Sequence, residues 1–288
     1  MTRRFTRLAW TAATFTYLLI VLGSIVRITG SGLGCGEQWP LCQGRLVPPL
    51  DLPTVIEYGH RLTAALVSLL VLALAASAWW LRRVSPVSQS GRANGPIPVA
   101  ADLAPEGPSV APYLALGLLV LQVALGAVTV RLRLPAWTVI LHLGTAMLLL
   151  ATLIVVARGP RGGAPLPHAL GIVALGFVTV LFGALTANLG AASACLGFPL
   201  CNGQLVPDGN YLQHIQWTHR LLAYALFVAV LWWAVRAKRG GPWGVVALVA
   251  LQVVVAAAMV LLARPPALQA AHAAVGTAVW AGLVGAMR

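Results

Sequence analysis

Charge is scarce in this sequence. Asp, Glu, Lys and Arg make up only 9% of its 288 residues, against a hydrophobic share of 59%. A water-soluble domain of that composition would be covered in apolar surface, so a soluble globular fold is excluded and lipid is the expected solvent. Cysteine is missing everywhere except in two short segments. No small-residue cleavage site follows the first apolar run, which argues against a removed signal peptide at Met1–Arg7 and for a retained first span. An Arg- and Ser-rich transit segment is also missing, which points to a bacterial plasma membrane rather than a mitochondrion. The net charge of +13 sits between apolar runs and not on a basic face of a soluble domain, so no nucleic-acid partner is expected.

Long hydrophobic runs are plentiful. Leu8–Val26, Val55–Leu81, Tyr113–Val130, Thr138–Ala157, His168–Asn188, His214–Val235, Trp243–Leu262 and Leu268–Ala286 are each long enough to cross a hydrocarbon layer of roughly 30 Å as a helix. The expected fold is an all-α integral membrane protein with eight spans. With the amino terminus inside, twelve of the nineteen basic residues fall on the inner side: Arg3, Arg4, Arg7, Arg82, Arg83, Arg92, Arg158, Arg161, Arg236, Lys238, Arg239 and Arg288. That bias obeys the positive-inside rule and predicts two cytoplasmic termini.

The chain repeats itself. Pro40–Pro48, PLCQGRLVP, returns as Pro199–Pro207, PLCNGQLVP, and at the same offset His60-Arg61-Leu62 returns as His219-Arg220-Leu221. Further on, at a shorter offset, Leu121-Gln122-Val123 matches Leu251-Gln252-Val253 and His142 matches His272. A duplication of this kind defines the architecture. Residues 1–83 and 112–158 form an N-terminal four-helix bundle, 84–111 a flexible cytoplasmic linker rich in Pro, Gly, Ser and Ala, and 159–288 a C-terminal four-helix bundle. Four spans per repeat give both copies the same sense in the membrane, so an axis along the membrane normal should relate the tandem bundles. Cofactors of such bundles sit in the core between facing helices.

Strongly polar side chains inside a membrane are costly and mark sites. His60, His142, His219 and His272 all lie about one to two turns inside even-numbered spans, at similar depth near the outer surface. Two imidazoles at matched depth on two helices of one bundle are what axial ligation of haem iron requires. The expected pairs are His60 with His142 and His219 with His272. Interhelical hydrogen bonding is the competing role for one histidine, and four in duplicated register favour ligation. His168 and His214 have no counterparts and read as interfacial residues. Arg61 and Arg220, beside two of the ligands, either pair with haem propionates or snorkel to headgroups.

Cys35 with Cys42 and Cys195 with Cys201 occupy the two corresponding outer loops. On an oxidising face they suggest one disulfide per loop, structural or, if exposed beside a haem, redox-active. A four-thiolate zinc site is the alternative, at wider spacing than usual. Glu57 stands three residues before His60 and shares its helix face, while its repeat partner is Gln216. The first half therefore has a titratable group that the second lacks, which suggests that the first half reacts while the second stores or passes electrons. The competing role for Glu57 is a cap at the start of the second span.

The outer-loop sequence Gly30-Ser-Gly-Leu-Gly-Cys-Gly36 followed by Trp39-Pro-Leu-Cys42, the Glu57-x-x-His-Arg61 motif and the repeated His-Arg-Leu resemble the haem A synthase family over nearly the whole chain. The resemblance implies oxidation of the C8 methyl of haem O to a formyl group by successive hydroxylations, giving haem A for terminal oxidases. It implies that His60 and His142 hold the substrate haem O with Glu57 beside it, and that His219 and His272 hold a haem b cofactor. Haem O synthase is the implied substrate donor, with an electron donor or acceptor that the sequence does not identify. Two other classes use some of the same residues. A bis-histidine transmembrane cytochrome working with quinone would have no need of Glu57 set against Gln216, and a quinone-linked thiol oxidase would leave four buried histidines unexplained.

Overall fold

The computed structural model describes residues 2–84, 110–159, 167–237 and 242–287, and nearly all of them are helical. The helices are α1 (Arg3–Ile28), α2 (Leu52–Val84), α3 (Ala111–Arg131), α4 (Ala136–Arg158), α5 (Pro167–Asn188), α6 (Tyr211–Arg236), α7 (Trp243–Leu261) and α8 (Pro266–Ala286). All eight are long and apolar enough to cross a membrane. Among the described residues there are no strands, only two isolated bridges, Cys42 with Arg45 and Cys201 with Gln204. Val84 still belongs to α2 and Ala111 already to α3, while 85–109, the bulk of the expected linker, lies outside the described residues.

Helix ends follow local chemistry. Thr2 caps α1 by accepting the Phe5 N–H, and Asn210 caps α6 by accepting those of Leu212 and Gln213. At the start of α2 the Asp51 carboxylate accepts from the Thr54 N–H, as its repeat counterpart Asn210 does for α6. The α3–α4 and α7–α8 connections are tight turns carrying left-handed residues at matching places, Arg133 and Leu134 in one, Ala263 and Arg264 in the other. Such short turns force their helices to run antiparallel.

Helix α1 packs against α2 and α4, and α3 against α4 and α2; α5 packs against α6 and α8, and α7 against α8 and α6. The two sets meet through α1 and α4 on one side and α5 and α8 on the other. Between apolar helices in lipid, close packing and interhelical hydrogen bonds replace the hydrophobic drive. Small residues permit that closeness: α1 buries Ala9, Ala12, Ala13 and Thr16. Polar bonds fasten the seam, since Trp280 Nε1 donates to the Met147 carbonyl at 2.8 Å and Tyr17 Oη to that of Ala274 at 3.1 Å. Helix α4 lies deepest, with 56% of its most apolar window buried, and α7 is the most peripheral at 11%.

Candidate functional site

Both long connections, 29–51 and 189–210, emerge at the same end of the molecule as the short turns: Arg133 pairs with Glu37 at 2.7 Å, and Arg264 donates to the Ala192 carbonyl at 3.4 Å. Each connection is closed by a disulfide, Cys35–Cys42 and Cys195–Cys201. The four cysteines are thus paired within their loops, leaving no thiolates for a shared zinc site. All four cysteines are buried, the most accessible at 1%. Each loop folds back over its own disulfide, with Gln43 and Asn202 at equivalent left-handed positions. The side chains of those two residues then tie the loop's limbs together, Gln43 Nε2 to the Gly34 carbonyl and Asn202 Nδ2 to that of Ala194.

A buried N–H must find an acceptor, and in both loops that N–H belongs to the first cysteine. Glu57 Oε2 accepts from Cys35 N at 2.7 Å, and Gln216 Oε1 accepts from Cys195 N at 3.0 Å. Glu57 therefore reaches across to the loop and does not cap its own helix. The neighbouring arginines act on the same loops. Arg61 donates through Nε and Nη2 to Glu57 Oε1, at 3.1 and 2.5 Å, and through Nη1 to the Gln38 and Leu41 carbonyls, both at 2.9 Å. Arg220 has no carboxylate to meet and gives its bonds to the carbonyls of Gly197, Pro199, Leu200 and Cys195. Both guanidiniums are engaged by loop carbonyls, partners that no motif in the sequence announces.

Of the four singled-out histidines, His60 lies within electrostatic reach of His142, and His272 of His219. Glycines press on them. A Cβ at Gly23 would stand 3.2 Å from His60 Nε2, at Gly126 3.2 Å from His142 Cε1, and at Gly183 2.9 Å from His219 Cε1. Gly23 and Gly183 occupy equivalent places on α1 and α5, a repeated glycine that is visible in the sequence alone. His219 Nδ1 lies 3.1 Å from the Thr179 carbonyl, so the proton sits on Nδ1 and Nε2 keeps its lone pair. That is the tautomer in which a histidine ligates metal. Gln122 Nε2 lies 3.1 Å from His142 Nε2, and Gln252 Nε2 lies 3.1 Å from His272 Nδ1. His142 Nδ1 is buried without a partner. His168 and His214 stay at the ends of α5 and α6, exposed, His168 stacked edge-on against Trp232.

These residues fit haem. Each pair offers two neutral-capable imidazoles from different helices, backed by glycine where a ring needs room, and one already has its second nitrogen engaged. Among the described residues no group of three or more His, Cys, Asp or Glu gathers as a site for a bare metal ion. What fold and site define together is a multi-pass membrane protein of the haem-handling class.

Comparison with known proteins narrows that class. Residues 6–284 match the family described as cytochrome oxidase assembly protein, COX15-CtaA. Relatives called heme A synthase include one from Symbiobacterium thermophilum, 34% identical over 272 residues, covering 84% of this chain and 81% of the relative. Another, from Bacillus pumilus, is 31% identical over 238 residues, covering 77% and 71%. A third, from Geobacillus kaustophilus, is 32% identical over 249 residues, covering 81% and 72%. The chain belongs to the cytochrome oxidase assembly protein family, COX15-CtaA.

Proposed function

We infer that this chain is an oxidoreductase of haem A biosynthesis, converting haem O to haem A by oxidising the C8 methyl to a formyl group through successive hydroxylations. The observation that carries this reading is the duplicated pair of histidines beneath disulfide-closed loops, in a chain related over most of its length to heme A synthases. His60 and His142 hold the substrate, and Glu57 stands beside it. His219 and His272 hold haem b, which supplies one-electron redox chemistry next to the reacting half. The architecture behind this division is two tandem four-helix units, α1–α4 and α5–α8, related by an axis along the membrane normal.

Glu57 is the group that can move a proton. Its Oε1 is held by Arg61 and its Oε2 by the Cys35 N–H, so the carboxylate is fixed in place one helical turn before His60. A proton taken up there competes with those two donors, which couples proton transfer to the loop above the substrate. Arg61 and Arg220 pin the loops, and both are proposed partners for haem propionates. Haem O synthase is the proposed source of substrate, and a further redox partner, an electron donor or acceptor, serves the oxidation.

The test is pigment extraction from bacteria that carry this chain together with haem O synthase. Haem A should accumulate; extracts holding only haem O and haem b would overturn the reading. We place both termini in the cytoplasm and both cysteine loops outside, following the basic residues. A probe within 202–210 should be labelled from outside in intact cells, and labelling of residue 95 in its place would invert that topology.

A further inference from the structure

We propose that Gln122 and Gln252 are positioning residues for the two haem sites, each fixing the ring of the histidine on the next helix and accepting its N–H when the other ring nitrogen binds iron. The proposal rests on the haem-binding reading above and adds residues that neither sequence motif nor family membership assigns.

The two glutamines sit at matching places on α3 and α7, helices with few other polar side chains. Each reaches the α4 or α8 histidine of its own half. Gln252 is bound most closely: its Nε2 lies 3.1 and 3.2 Å from the two ring nitrogens of His272 and 3.1 Å from the same residue's carbonyl. Gly276, one turn beyond His272, leaves the room, because a Cβ there would come within 3.1 Å of that amide nitrogen. In both halves the amide oxygen, Gln122 Oε1 and Gln252 Oε1, is buried with no hydrogen-bond partner. One orphaned acceptor in an apolar core is a local cost, whereas the same orphan at both repeat positions points to a use.

Imidazole chemistry supplies that use. A neutral ring has one N–H and one lone pair. When the lone pair goes to iron, the other nitrogen must carry the proton, and in an apolar bundle that proton needs an acceptor. For His219 the acceptor is the Thr179 carbonyl. For His142, which Gln122 meets at Nε2 and whose Nδ1 is buried and unpartnered, and for His272, which Gln252 meets at both ring nitrogens, the acceptor is the glutamine oxygen, brought to the ring by a half turn of the amide that for Gln252 gives up the bond to the His272 carbonyl. An N–H held in this way makes the imidazole a stronger donor to iron and stabilises the ferric state.

The experiment uses the purified haem-bound full-length protein and reads the reduction potential and retention of the haem at His219 and His272. Gln252→Met keeps the volume and removes the acceptor. It should raise the potential and weaken haem retention by roughly 10–100-fold, the usual consequence of losing such a partner. Gln252→Glu supplies a stronger acceptor and should lower the potential, and it decides the matter alone if the Met variant does not fold. Wild-type potential and retention in Gln252→Met, or an unchanged or raised potential in Gln252→Glu, would overturn the proposal. His272→Ala, measured alongside, separates the two levels. If it leaves the haem spectrum intact, the haem-site reading itself fails; if it abolishes the spectrum while both Gln252 variants behave as wild type, only the role of the glutamine fails.

Discussion

At the first cysteine loop a carboxylate, Glu57, receives both the Cys35 N–H and the Arg61 guanidinium, whereas at the second an amide, Gln216, receives the Cys195 N–H and Arg220 turns to four loop carbonyls. The loops are otherwise alike, down to the left-handed glutamine or asparagine after the second cysteine. The comparison separates two demands that a single copy would confound. Holding the loop requires an acceptor at this position and an arginine one turn later, and a neutral amide meets that requirement in the second half. The negative charge of Glu57 is therefore not needed to hold the loop, which leaves it available for the chemistry proposed for the first half.

The largest effects should come from the histidines, and they should differ by half. His219→Ala or His272→Ala should abolish the low-spin signal of the tightly held haem b in the purified protein. His60→Ala or His142→Ala should leave that signal and remove the substrate haem, with loss of haem A formation in each case. Visible spectra of the four variants check this, and equal loss of both haems from every one of them would erase the division of labour between the halves.

The disulfides should show no such difference. Closing rings with sequence separations of 7 and 6 should contribute about 2–3 kcal/mol each by chain entropy, so Cys35→Ala with Cys42→Ala and Cys195→Ala with Cys201→Ala should destabilise the protein by similar amounts. Thermal unfolding in detergent is the measurement. Since the sulfurs are buried, any activity lost should track the loss of folded protein; a fully folded but inactive first-loop variant would mean that this disulfide takes part in the reaction.

Much of this molecule was legible because lipid and duplication leave strong marks on a sequence. Eight apolar runs correspond to eight helices, and the repeats brought the histidines into register before any contact was known. What stayed hidden depends on contacts between segments far apart in the chain. Arg61 and Arg220 meet carbonyls that are gathered only once the loop has closed, and no periodicity announces a backbone acceptor. The Leu-Gln-Val match was visible, but its link to histidine needs α3 laid against α4 and α7 against α8. Equivalent spans also differ in burial, α4 being far more enclosed than α8, because α4 packs closely on α1 within its own half as well as across the seam, whereas α8 meets α5 only lightly. A pattern of residues within one repeat carries no information on which face meets the other copy.

The central claim is that the charge of Glu57, and not its shape or its hold on the loop, serves the conversion. Glu57→Gln installs the side chain that already works structurally at Gln216, so haem binding and helical content should match wild type. Haem A yield should fall by about 10²–10⁴-fold, the range that general acid–base assistance typically supplies. The measurement is the ratio of haem O, its hydroxylated intermediate and haem A extracted from Glu57→Gln and from the converse Gln216→Glu, at matched haem content. Accumulated haem O is expected in the first and a wild-type ratio in the second. Wild-type haem A from Glu57→Gln would contradict it and reduce Glu57 to the acceptor that holds Cys35.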